Sequence, residues 1–196
     1  MSTTWAAVLL AGGRGSRLGG VDKAALEVGG CTLLDHALTA VHGASPVVVV
    51  GPPRPVRGEV EWTCEDPPGG GPAAALAAGL ALLPPDRDLV AVLAVDQPGI
   101  TARTVTRLRH AVNDTGALLV DPDGRLQWLA GVWRVEALRA VMPERPAGAS
   151  LRSVLGPLGG AAVTALPGEA VDVDTPQDLS RVRAADPSHA SHREDG

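Results

Sequence analysis

"WAAVLLAGGRGSRLGGVDK" occupies residues 5–23. Its first seven residues, Trp5 to Ala11, form an unbroken apolar run, and a run this short reads as a parallel strand buried on both faces. The run breaks at Gly12 and Gly13 and continues as a glycine-rich loop with three cations, Arg14, Arg17 and Lys23. Glycines expose backbone N–H groups and let them close on an anion. Arginine adds a planar fork of donors, and lysine a mobile point charge. Such a loop suits a polyphosphate. The plain alternative is a strand-to-helix turn with solvated basic residues. Two familiar phosphate loops fail on spacing: the dinucleotide fingerprint would need glycine where Leu18 stands, and the P-loop would need Gly before Lys23 and Ser or Thr after it, where Asp22 and Ala24 stand.

Working outward, the same alternation of apolar runs and helical periods continues. Leu33, Leu34, Ala37, Leu38 and Val41 recur at helical spacing after Thr32, and Gly43 stops them. "PVVVVG" (46–51) is a second buried strand, and the proline-rich 52–60 is a loop. Residues 65–83 begin as a turn and become an Ala/Leu helix. "DLVAVLAVD" (88–96) is a third buried strand ending at Asp96, and Thr101 caps the helix that follows. Asp123-Gly124 lies between two apolar runs, the signature of a β-hairpin over 116–134. Residues 136–142 and 150–158 read as short helices, and 170–182 as a last strand running into a helix. The expected fold class is therefore α/β: a single Rossmann-like domain, 1–183, with a mainly parallel, mixed sheet flanked by helices and a hairpin excursion around 116–134. The polar tail 184–196 has no period and is expected to be disordered.

Composition narrows the function. A net charge of −5 argues against a nucleic-acid partner, which needs a basic face. Cys31 and Cys64 make no disulfide framework. The N-terminal apolar run is too short for a secretion signal or a membrane span, so a cytoplasmic location is expected. Nothing in the pattern sets an oligomeric state. With no Phe or Tyr, the core falls to Val, Leu and Ala. In open parallel sheets ligands sit beyond the carboxyl ends of the strands. That rule gathers the glycine loop, Asp66 with its glycines, and Asp96.

The string "LAGGRGSRLGGVDK" resembles the signature of nucleotidyltransferases that activate sugars and cofactors, and its ending Gly19-Gly20-Val21-Asp22-Lys23 is similar to that of the molybdenum cofactor guanylyltransferases. "EDPPGGGPAAALAAGL", "AVDQP" and "DVDTPQDL" agree in order and spacing, so the resemblance spans roughly 5–183. It implies transfer of a nucleotidyl group, GMP from GTP, to the phosphate of molybdopterin, with Mg²⁺ as cofactor and pyrophosphate released. It implies that Leu10, Ala11, Gly12 and Gly13 lay backbone against the nucleotide, that Arg17 clamps the departing phosphates, and that Lys23 neutralises charge at the α-phosphoryl group. Lys23 could instead pair with Asp22 or Glu27 on the surface. Asp96, ending its strand, suits a hard cation such as Mg²⁺, though an Asp before Gln97-Pro98 is also a common turn residue. Asp66 would lie at the nucleotide, or be a solvated loop carboxylate. Asp172 and Asp174 are candidates for a second Mg²⁺ carboxylate, while Thr175, Pro176 and Asp178 are explained by helix capping alone. Gln127 and Trp128 line the acceptor side in the family, with core packing the simpler role for Trp128. Arg152 is a weak phosphate candidate. None of the histidines reads as a metal ligand. Asp96-Gln97-Pro98 and Asp172-Val173-Asp174-Thr175-Pro176 look more like the cytidylyltransferases of the same cofactor, which leaves CTP as an alternative to GTP, alongside another phosphorylated acceptor such as a sugar phosphate and, in a different class, a nucleotide-binding module without catalysis.

Overall fold

A computed structural model of the chain describes residues 3–12 and 21–185. Strand β1 (Trp5–Leu10) is central, paired in parallel with β4 (Val47–Val50) on one side and β6 (Leu89–Ala94) on the other. Beyond β4 lies the short parallel edge strand β5 (Glu61–Thr63). Beyond β6 come β8 (Leu126–Arg134), β7 (Gly116–Val120) and β9 (Ala161–Thr164), giving the order β5-β4-β1-β6-β8-β7-β9. Strand β8 runs antiparallel to both neighbours, and β9 is parallel to β7, so β8 alone opposes the direction of the other six. The hairpin turns at Asp123-Gly124, where Gly124 takes a φ of 80° that glycine tolerates. It is built into the main sheet through β8 and does not project from it.

The period of two along each strand sorts the molecule into layers. Ala7 and Leu9 of β1 join Ala91 and Leu93 of β6 beneath α1 (Leu33–Ala40) and α3 (Ala102–Ala111). Ala6, Val8 and Leu10 face the other way, toward α2 (Pro72–Ala81), α4 (Val135–Val141) and α5 (Leu151–Leu155). Helix α1 starts where expected: Thr32 and Asp35 form a reciprocal capping box. Thr101 caps α3 with Thr104 as its partner. In a chain without Phe or Tyr, fully buried Trp133 is the largest core side chain, seated in a slot where added Cβ atoms at Gly116 and Gly131 would collide with its ring.

Three short elements carried no readable period. These are β5, β9 and the small ribbon of β2 (Glu27–Val28) with β3 (Cys31–Thr32). One expectation is corrected: residues 170–174 form no strand. They lie beyond the sheet, and the Val173 N–H bonds the carbonyl of Asp96 (2.9 Å) where a strand would have a ladder partner. Buried Val173 anchors this segment with Val28 and Leu33, next to the final helix α6 (Pro176–Ala185). Among the described residues no helix is long and apolar enough to cross a membrane.

Candidate active site

The sheet's topology brings the exits of β1, β4 and β6 together. Ala11 donates its N–H to the carbonyl of Val50 (2.9 Å), and Val95 donates to Leu10 (3.2 Å). A Cβ at Gly51 would stand 3.0 Å from the carbonyl carbon of Ala11, so only glycine lets the two exits approach this closely. Leu10 and Ala11 are buried and offer backbone only, while Gly12 is exposed at the mouth. Gly13 and Arg17 lie outside the described residues.

Lys23 is the hub of the charged cluster. It opens a short 3-10 turn (Lys23–Ala25) capped by Asp22, whose carboxylate accepts the Ala24 N–H (3.2 Å). Its ammonium donates to Asp96 Oδ2 at 3.1 Å and also to Asp174 Oδ1. The first partner follows β6, and the second precedes α6, 151 residues away in sequence from Lys23. The surface pairing with Asp22 or Glu27 does not form. Asp22 instead pairs with Arg54, a loop residue that no periodicity marked. Partial burial would lower the Lys23 pKa, but the Asp174 hydrogen bond and the Asp96 charge outweigh it and hold it above its ordinary value.

Asp172 is exposed, yet it lies within reach of the negative charges of Asp96 and Asp174. Burial, and then the charge of Asp96, push its carboxyl up, with the amide of Gln97 and the charge of Lys23 pulling the other way. Gln97 is itself buried, and its Oε1 has no partner among the described residues. Asp66 is exposed and makes no side-chain hydrogen bond among the described residues. Its neighbour Glu65 is the acid facing the glycines: Oε1 accepts the Gly69 N–H (3.1 Å), and Oε2 lies 3.9 Å from where a Cβ of Gly12 would be. Helix α2 starts at Gly71-Pro72 with no side chain capping it, a backbone end suited to an anion.

None of the remaining candidates makes a side-chain hydrogen bond to Lys23 among the described residues. Gln127 donates to Asp121 (3.1 Å) on the hairpin. Trp128 packs, partly buried, on the core under α2 and α4. Arg152 is exposed on α5. Thr175 and Asp178 make the expected reciprocal cap of α6: Thr175 N–H to Asp178 is 3.0 Å and the return bond to Thr175 Oγ1 is 3.2 Å.

Among the described residues no three acidic, His or Cys side chains form a ready-made metal cage. The donor set nevertheless fits a hard divalent cation. A lysine ammonium already draws two carboxylates onto one positive charge, and Mg²⁺ ordinarily takes only one or two carboxylates, completing its shell with phosphate oxygens and water.

The profile of a family described as "MobA-like NTP transferase domain" matches residues 7–163. A probable molybdenum cofactor guanylyltransferase of Opitutus terrae is 37% identical over 139 residues, covering 68% of this chain and 68% of that protein. The molybdenum cofactor guanylyltransferase of Vibrio cholerae is 31% identical over 129 residues, covering 64% and 62%. Among solved structures, the molybdopterin-guanine dinucleotide biosynthesis protein A of Archaeoglobus fulgidus superposes with a TM-score of 0.65 at 18% identity, covering 91% of this chain and 97% of its own.

Proposed function

This chain belongs to the MobA-like NTP transferase family, and on that premise we propose that it transfers GMP from GTP to the phosphate of molybdopterin, releasing pyrophosphate. The observation that carries the reading is the Lys23 ammonium shared by Asp96 and Asp174 at the carboxyl edge of the sheet, where β1 and β6 end side by side. Nucleotidyl transfer asks a protein mainly to position reactants and offset charge. An acceptor phosphate oxygen attacks the α-phosphorus, the bond from that phosphorus to the β-phosphate bridging oxygen breaks, and pyrophosphate departs with the electron pair.

Ala11 and Gly12 supply backbone against the nucleotide, with Gly13 and Arg17 continuing the same loop by the sequence pattern. Lys23, freed from its carboxylates, offsets charge on the α-phosphoryl group. Asp96, with Asp174 or Asp172, would hold Mg²⁺, which when bound polarises the phosphates. Acidic Glu65 stands nearer the glycine turn than Asp66 and takes over the nucleotide-side role considered for Asp66.

A second reading, the same transfer with CTP, is favoured by Gln97, which lies buried beside Asp96 in the Asp-Gln-Pro form that resembles the cytidylyltransferases. Calorimetric titration with GTP, CTP and ATP in Mg²⁺ separates the two, and clear preference for CTP overturns the guanine assignment. Pyrophosphate release with molybdopterin tests the reaction itself. Asp96→Ala and Lys23→Ala are each expected to lower it by roughly a hundredfold while circular dichroism stays native. Wild-type rates in both variants would remove the site from this hollow.

A further inference from the structure

The segment bearing Asp172 and Asp174 is held from outside the hollow. Buried Glu169 lies three residues before Asp172 and faces α3. Its Oε1 accepts the Thr104 hydroxyl (2.6 Å) and Arg107 Nη1 (2.7 Å), and its Oε2 accepts the Leu166 N–H (2.7 Å). Arg107 donates its other Nη to the carbonyl of Thr164 (2.6 Å), so one guanidinium ties both the end of β9 and the loop after it to α3. Backbone contact adds a second tether. A Cβ at Gly99 would overlap the carbonyl of Gly168, so the loop after Asp96 and the loop before Asp172 touch main chain to main chain. The third tether is the Val173 N–H on the carbonyl of Asp96.

A segment without sheet pairing has no ladder to fix its register, so its carboxylates stand where these tethers, the packing of Val173 and the Lys23 bond hold them. None of Glu169, Thr104 and Arg107 bonds Lys23, Asp96, Asp172 or Asp174. We infer that Glu169, clamped by Thr104 and Arg107, is a positioning residue: it sets the placement of Asp172 and Asp174 against Asp96 and thereby the affinity of this site for a divalent cation. The inference rests on the proposed cation-binding role of that acidic cluster. Partners that orient metal ligands from behind typically change metal affinity by ten- to a hundredfold when removed.

The test is a titration of the full-length protein with Mn²⁺ alone, free ion being read by electron paramagnetic resonance, alongside melting temperature. Thr104→Val keeps shape and removes the hydroxyl, Thr104→Ser restores it, and Glu169→Gln removes the charge. A core variant, Val154→Ala in α5, controls for general destabilisation. Expected are Mn²⁺ binding weakened by about tenfold in Thr104→Val and Glu169→Gln, recovery in Thr104→Ser, and wild-type binding in Val154→Ala at a similar loss of melting temperature. If the wild type binds Mn²⁺, Asp96→Asn loses it, and the Thr104 and Glu169 variants bind normally, the positioning role is overturned while the cation site stands. If Val154→Ala weakens binding as much as the clamp variants, the effect is general destabilisation and the positioning role is likewise overturned. If the wild type binds no Mn²⁺, the cation site itself fails and the inference falls with it.

Discussion

Asp172 and Glu169 stand three residues apart in sequence and feel opposite electrostatics. Burial first, then the charge of Asp96, raises the Asp172 carboxyl above its ordinary value. Its contribution to stability is therefore present in acid and lost as pH climbs through the raised folded value. For Glu169 burial would raise the value too, but the Thr104 hydroxyl, the Leu166 N–H and Arg107 more than offset it, and the carboxyl is held low. Its contribution is present at neutral pH and lost as pH falls through the lowered folded value. In EDTA-treated protein, Asp172→Asn should raise the melting temperature at pH 7, and Glu169→Gln should lower it. Both differences should shrink as pH falls below about 4, where carboxylates protonate. Melting followed by circular dichroism from pH 3 to 8 checks this, and a common sign for the two variants would refute the assignment. The same pairings explain what was readable at this scale. Asp96 is marked by its place at the end of an apolar run, Lys23 by the cationic glycine loop, and Asp172 and Asp174 by the family resemblance. Glu169, Thr104 and Arg107 are not marked, because their partners lie 62 to 65 residues apart and leave no local period.

The capping boxes that open α1 and α3 and the Asp-Gly turn of the hairpin are local devices, each complete within a few residues. Contact between the loops at Gly99 and Gly168 is different, since each glycine is required by the other loop. Gly99→Ala places a methyl group into backbone, which unlike a flexible side chain cannot yield. A loss of about 1–3 kcal/mol is expected, the range of overpacking in a filled site, measured by urea unfolding with an unchanged denaturant slope. A cost below a few tenths of that range would mean that the loops part easily and do not fix Asp96 against Asp172. The segment 170–174 shows the limit of element reading. Valines alternating with aspartates suggest a strand, yet only Val173 is fully buried, and its N–H goes to a loop carbonyl.

At the scale of the whole molecule, β1 and β6 sit inside the sheet with helices on both faces, and their residues from Ala6 to Leu9 and Val90 to Val92 are fully buried. The edges are thinner: β5 and β9 contribute three and four residues, and α6 has no buried residue. Native-state hydrogen exchange should find the slowest amides in β1 and β6, with β5, β9 and α6 opening at lower free energy. Uniform protection across the seven strands would contradict this. Sequence by itself determined the α/β class, the buried parallel strands, the helix starts and the hairpin turn, because each is written in spacing over a few residues. Tertiary structure alone decided that β8 enters the sheet reversed, that Glu65 holds the Gly69 N–H and stands near Gly12, and that Lys23 joins Asp96 to Asp174. Those outcomes depend on the distance between residues far apart in the chain, and such a distance is set by how layers pack.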